Sequence, residues 1–543
     1  MKRLIKFSIL AVVVALSVAT TFQPNSNKYF EITKNIEIFA NLYKELNTYY
    51  VDEIEPAQLM RVGIDAMVES LDPYTNYISE SQIEGYRFIT EGRYNGIGAS
   101  SETIKDLITI TELYEGQPAD KAGLKVGDRI LAIDGKVTKG KTQEDINNIL
   151  RGFPGTEVEL LIERPGKTVP FSVKLLRDEV EAKNIPYSGK IADHIGYINL
   201  STFTRDAGAN VADALRTLQG EDPDLKGVVL DLRGNGGGLL NEAVNIANVF
   251  IPKNELVVTT RGKVKEWDRS FKTLNVPVDT EIPLVILINN RSASASEIVS
   301  GVIQDYDRGV IIGQLSYGKG LVQNTRDIGY NAKVKLTTAK YYIPSGRCIQ
   351  AVEYDNGEPI DIPESERTPF KTRNGRKVLD GGGVKPDLVI DRDGSSNVLK
   401  QLDKGHIIFD FVTNYCASKT QVDPVETLRF TDFDVFINYV AGRNFDYDTD
   451  TEKLITQLET KAKEEGFSLG VSLETVKQQI KSTKEQELTL FKDAIVDMIE
   501  KEIAGRYFYK KGSVQVGLRN DLEVQEAIKL LNDPARYQSM LKS

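Results

Sequence analysis

Hydrophobic positions recur with different spacings along the chain, and the changes of spacing divide it. Between residues 28 and 90 the period is helical: Ile36, Phe39, Leu42, Tyr43 and Leu46 follow one another around a helix, as do Leu59, Val62, Ile64 and Met67. Ser70-Leu71-Asp72-Pro73-Tyr74-Thr75 then breaks the pattern at its proline. Residues 92–178 read as a small β-rich module. A Gly96-Ile97-Gly98 loop precedes a strand-like stretch, Leu107–Leu113, and Asp134-Gly135 marks a tight turn. A short helix, Gln143–Leu150, and a hairpin through Pro165-Gly166 complete the module.

From 180 to 395 the apolar runs become continuous. Val228–Leu232 runs into glycines and a helix from Leu239 to Phe250; Leu284–Ile288 runs into a Ser/Ala segment and a helix reaching about Tyr306; Val310–Ile312 enters a further glycine loop. Strands apolar at every position predict an α/β sheet covered on both faces. Residues 400–543 predict charged amphipathic helices, Ile455, Leu458 and the 476–480 region among their apolar positions, with most of the charges solvated. The expected fold is therefore multidomain, α+β and α/β, with helical regions at both ends.

The first residues carry different information. Lys2, Arg3 and Lys6 precede an apolar run from Ile9 to Ala15 that continues through Leu16 and Val18 to Ala19. A basic start and a short apolar run predict an export signal over 1–22, with a retained inner-membrane anchor as the rival reading. The mature chain is thus expected outside the cytoplasm, in the periplasm, where Cys348 and Cys416 could pair. The 68 Lys and Arg against 78 Asp and Glu give a net charge of −10, which disfavours nucleic acid as a partner. Two cysteines and two histidines exclude a four-cysteine zinc site, iron–sulfur chemistry and HExxH. No metal and no cofactor are expected, so the chemistry falls to other side chains.

Three loops carry the candidates: Asp231 to Gly238, Ser292 to Glu297, and Ser316 to Gln323. Each follows an apolar strand, and ligands collect at the carboxyl ends of strands in such sheets. Ser294 stands where a helix should begin, with Glu297 three residues on. Taken alone, Ser-x-x-Glu is a capping box. A nucleophile there would also gain the free N–H groups of a helix start, that of Ala295 among them, with Ser292 and Ser296 as competitors. His194 and His406 are the only histidines and read as structural or surface residues, so the better base is Lys319, flanked by glycines. Gly313 to Gly320 nearly matches a P-loop, but Gly320 stands where Ser or Thr should hold magnesium. The glycines from 234 to 238 suit an oxyanion-binding turn, or simply a tight connection.

Together these phrases resemble the C-terminal processing peptidases, serine proteases that pair serine with lysine. The likeness spans roughly residues 30–395. It takes in Leu71-Asp72-Pro73, the PDZ-like module with Gly127-Asp128, Asp231-Leu232-Arg233, and Gln304-Asp305-Tyr306. It continues through Tyr341 to Arg347 and Gly383 to Asp387. The resemblance implies a ClpP/crotonase-like peptidase core with Ser294 as nucleophile and Lys319, 25 positions later, as general base. It implies that Gln323 orients the lysine, and that the N–H of Ala295 and of a glycine near Gly237 hold the oxyanion. It also implies that Gly96, Ile97 and Gly98 receive the C-terminal end of a peptide or protein substrate. The rival functions are a silent PDZ peptide-binding scaffold and a Ser-Lys amidase on small molecules. For residues 400–543, where the motifs offer no counterpart, an adaptor or homo-oligomer surface is the expectation.

Overall fold

The computed structural model describes residues 26–543 apart from 356–357, 391–396, 444, 446, 448, 468 and 543, so the export segment expected over 1–22 lies outside the described residues. The chain divides between Tyr77 and Ile78. In the first unit, helices Ser26–Tyr49 and Pro56–Glu69 leave Ile36, Phe39, Leu42 and Leu46 largely exposed. The Asp72 carboxylate accepts the N–H groups of Tyr74 and Thr75, which explains the turn after the second helix. No helix among the described residues is long and apolar enough to cross a membrane.

The second unit includes the β-rich module. Its sheet runs in the order Ala99–Ile104, Leu107–Leu113, Arg129–Ile133, Glu157–Glu163, Phe171–Leu176, so Ala99–Ile104 is an edge strand. Ile97, Ile110, Ile130, Ile146, Leu160 and Ile162 form its core.

An α/β core comes next, and its elements are numbered from its first strand. A six-stranded sheet has the order β1 (Tyr187–Ala192), β2 (Ile195–Asn199), β3 (Gly227–Asp231), β6 (Leu284–Ile288), β7 (Val310–Gly313), β10 (Leu388–Val389). Only β1 runs antiparallel to its neighbour. Helices α1 (Ala207–Glu221), α2 (Leu240–Phe250) and α3 (Ala295–Asp305) cover one face. Strands β4 (Leu256–Gly262), β5 (Arg269–Lys272), β8 (Leu321–Gly329) and β9 (Ala332–Tyr342) make a separate antiparallel sheet, whose β8–β9 hairpin has no counterpart in the pattern of apolar runs.

Successive side chains of a strand point to opposite faces. Val228, Leu230, Leu284, Ile286, Ile288 and Ile311 therefore meet α1–α3. Val229, Val285, Leu287, Val310 and Ile312 point the other way, and the C-terminal region covers them: Val524, Ala527, Leu530 and Leu531 of α5 (Leu522–Leu531) and Tyr537 of α6 (Pro534–Met540). The Tyr537 hydroxyl bonds both backbone groups of Leu284. The apolar faces of these amphipathic helices thus find their cover on the sheet. The end of this region covers the second face of the sheet, and the preceding helix α4 (Lys492–Gly517) reaches the β-rich module, where Arg506 donates to the Val126 carbonyl and Tyr509 to Asp120. Cys348 and Cys416 are both free thiols.

Candidate active site

Parallel pairing sets the geometry. Asn199 aligns with Asp231, Asp231 with Leu287, and Ile288 with Gly313, so β2, β3, β6 and β7 end on one edge of the sheet. The three candidate loops leave from that edge and bond to one another. Ser292 Oγ donates to the Leu232 carbonyl (2.8 Å), the Ala293 N–H to the Asn235 carbonyl (3.1 Å), and the Tyr317 N–H to the Ser292 carbonyl (3.0 Å). His194 precedes β2, at the opposite edge, where it pairs with Asp222.

Ser294 caps α3 with φ 56° and ψ −110°, a conformation that a residue with a Cβ adopts only under constraint. The constraint is visible. Its N–H donates to Glu297 Oε2 (2.7 Å) and its carbonyl accepts from Glu297 and Ile298 N–H. The other serines of the cluster are committed: Ser292 Oγ to the Leu232 carbonyl, and Ser296 Oγ to the Asn235 carbonyl (2.8 Å), both fully buried. Ser294 is partly exposed. Gln304 and Asp305, at the far end of α3, hold the Arg347 guanidinium, and Gln304 also reaches Asp387, so the three later phrases of the motif set form one cluster.

Glu297 does more than cap a helix. Its fully buried carboxylate also accepts Ser316 Oγ (2.5 Å) and Gly318 N–H (2.7 Å) at Oε1, and Lys319 N–H (2.8 Å) at Oε2. The Ser294 and Lys319 nitrogens, 2.7 and 2.8 Å from one oxygen, therefore lie within 5.5 Å of each other. Tyr341 braces the same pair, its hydroxyl donating to the Lys319 carbonyl and lying 3.1 Å from that of Ser294. Burial pushes the Glu297 carboxyl up to about 7, against its four donors, which favour the charged form. The capping-box spacing revealed Glu297's link to Ser294; its link to the lysine loop is a tertiary contact without a local signal.

The glycine run is held equally closely. Gly237 has φ 99°, and a Cβ there would lie 2.7 Å from the Ala293 carbonyl and 2.9 Å from Ser294 Cβ. Only glycine fits so near the candidate nucleophile. The Gly237 N–H, expected with its neighbouring glycines as the source of the second oxyanion donor, donates to Asn235 Oδ1 (2.9 Å) in this structure. The N–H groups of Gly236, Gly238 and Ala295 have no acceptor among the described residues. Gln323, expected to orient Lys319, donates its amide N–H to Thr337 Oγ1 (3.2 Å) across the β8–β9 hairpin. In the β-rich module Ile97 buries its side chain in the core, and the Ile97 and Gly98 carbonyls accept from Ala119 and Tyr114. Gly96 pairs with Asp178.

Comparison with known proteins decides the family. The sequence model of peptidase family S41 matches residues 194–357 and that of a PDZ domain residues 109–164. The carboxy-terminal-processing protease of Bartonella bacilliformis is 36% identical over 358 residues, covering 66% of this chain and 80% of that protein. The chain belongs to this family. A probable CtpA-like serine protease of Staphylococcus aureus is 35% identical over 333 residues, 61% of this chain and 66% of that one. The photosystem II D1 C-terminal processing protease is 24% identical, with 67% of this chain and 94% of that one covered at a TM-score of 0.36. The S41 protease is accordingly a serine-type peptidase with a PDZ domain. Residues 398–531 match the C-terminal helical domain of probable PDZ-proteases, an assignment that the motifs had left without a counterpart.

Proposed function

We propose that this S41 protease is an exported endopeptidase in which Ser294 and Lys319 form the catalytic dyad and the PDZ domain receives the C-terminal end of the substrate. One observation carries the dyad: a single Glu297 oxygen holds the backbone of both residues, while the competing serines are spent on structural hydrogen bonds. Neutral Lys319 removes the Ser294 proton as Oγ attacks the scissile carbonyl. The resulting oxyanion is held by the N–H of Ala295 and one from Gly236 or Gly238. The lysine gives its proton to the leaving amine, and water, deprotonated by the same amine, then cleaves the acyl-enzyme ester. Gln323 steadies the lysine from β8.

Tail recognition rests on the free edge of Ala99–Ile104 and on the N–H groups of Ile97 and Gly98, which have no acceptor among the described residues. An added peptide strand and its carboxylate suit that arrangement. Gln143, at the start of the neighbouring helix, bonds Ser101 and Thr103 across the space a peptide would enter, so its side chain must turn aside on binding. The basic and apolar residues of 1–22 support export. The test is turnover of an unfolded polypeptide by Ser294→Ala and Lys319→Met. Both variants are expected to lose hydrolysis while still binding a peptide with a free C-terminus, and full turnover by either would overturn the dyad.

A further inference from the structure

Arg233 directly precedes the glycine run and is held by three carboxylates. Its Nε and Nη2 face Asp231, whose other partner is the Tyr197 hydroxyl (2.7 Å). Its Nη1 donates to both oxygens of Asp521 (2.8 and 2.7 Å) and to Glu523 Oε2 (2.8 Å). These two acids lie 288 and 290 residues downstream. The Glu523 side chain is 1% exposed and that of Arg233 11%. A buried cluster of this kind adds little net stability, because desolvation offsets attraction; what it supplies is a fixed position.

That fixed position is passed on to the next residues of the turn. The Gly234 N–H donates to Asn289 Oδ1 (3.0 Å) on the loop leading to Ser294, and the Asn235 carbonyl accepts Ala293 N–H and Ser296 Oγ. Gly237 then stands against Ser294 Cβ. Arg233 is thus the upstream anchor of the segment that carries the Gly236 and Gly238 N–H groups. One nitrogen of its guanidinium fork, Nη1, is satisfied only from the C-terminal region. Asp521 is itself fixed, as N-cap of α5 through the Val524 N–H (3.1 Å), and α5 is fixed by its apolar face on the sheet.

The geometry points to Asp521 and Glu523 as positioning residues for the oxyanion-binding turn: through Arg233 they hold Gly234–Gly238 in register with Ser294. This rests on the Ser-Lys reading of the active site. The acids touch no reacting atom, so their removal should weaken binding of the transition state and leave binding of the substrate unchanged.

The test uses the full chain with Asp521→Asn, Glu523→Gln and the double variant. Asparagine caps helices as well as aspartate, so the single change removes charge without removing the cap. The double variant is expected to lose at least tenfold in kcat with KM within twofold, and to bind a peptide boronate, which mimics the tetrahedral oxyanion, weaker by a similar factor. A folded double variant with wild-type kcat, or one whose kcat falls while boronate affinity stays at the wild-type value, overturns the inference. If the double variant does not fold, Asp521→Asn is read by the same two measurements. Ser294→Ala is run alongside. If it is inactive while the acid variants are unaffected, this inference alone fails; if it retains turnover, the Ser-Lys reading fails and takes the inference with it.

Discussion

Glu297→Gln is the sharpest perturbation of the site, because it changes almost no volume and removes half of the accepting capacity. The carboxylate takes two donors on each oxygen: Ser316 Oγ and Gly318 N–H on one, Ser294 N–H and Lys319 N–H on the other. An amide keeps one oxygen and turns an NH2 toward the other pair. Two donors then lose their acceptor in a fully buried site, at about 1–3 kcal/mol each, or about 2–6 kcal/mol together. If that loss separates the Ser294 and Lys319 backbones, kcat/KM should fall at least 100-fold, since about 1.4 kcal/mol of transition-state stabilisation is a factor of ten.

The same variant reports on protonation. Burial pushes the Glu297 carboxyl up to about 7 in the folded chain from its ordinary 4.5, so the folded state binds the proton more tightly. Its favourable contribution is full below pH 4.5 and is lost as pH rises through 7. Wild type should therefore be more stable relative to Glu297→Gln at pH 5 than at pH 8, by roughly 2–3 kcal/mol. Urea unfolding of both proteins at the two pH values measures this, and turnover of an unfolded polypeptide measures the first effect. A Glu297→Gln protein that folds, turns over at the wild-type rate and has the wild-type pH slope would refute the reasoning.

Gly237→Ala should lower both activity and stability, by about 2–4 kcal/mol for the strain of a Cβ at φ 99° against the Ala293 carbonyl; thermal unfolding and turnover read it. Ser316→Ala removes one donor from Glu297 and the acceptor of Val384 N–H, so its loss of activity should be smaller than that of Glu297→Gln in the same assay. Leu531→Ala opens a cavity over Gly227 on the second face of the sheet and should cost about 2–5 kcal/mol in urea unfolding. Deleting residues 522–543 should leave the peptidase core unable to fold, visible as loss of cooperative unfolding, because Val229, Val285, Leu287 and Ile312 would face water.

Much of the fold was legible because its signals are local. Continuous apolar runs mark β3, β6 and β7 since every residue of those strands is buried, and Leu284–Ile288 coincides with β6. The capping-box spacing marks the helix start at Ser294, but it was the likeness to the C-terminal processing peptidases that separated Ser294 from Ser292 and Ser296. The β8–β9 hairpin was hidden because its residues are mostly half-exposed and mix polar with apolar positions, so neither a run nor a clean alternation appears. Gly237 illustrates a finer limit. The glycine run shows that backbone comes close to something, but which N–H is left free depends on where the Asn235 side chain turns.

What the C-terminal helices pack on was out of reach for a related reason. Val524, Ala527, Leu530 and Leu531 have helical spacing, yet spacing cannot say what a helix covers. The answer lay in strands more than 200 residues earlier, whose continuous apolar character already required a cover on both faces. Helices α1–α3 account for one face only, so the demand for a second layer was present in β3, β6 and β7 before its supplier was known. Once α5 is seated by that apolar demand, its N-terminal acids have no freedom left: they arrive at the ends of β2 and β3, where Arg233 begins the turn beside Ser294. Packing on one face of the sheet and charge placement at its edge are therefore one constraint, and a change that loosens α5 from the sheet should loosen the turn that faces Ser294.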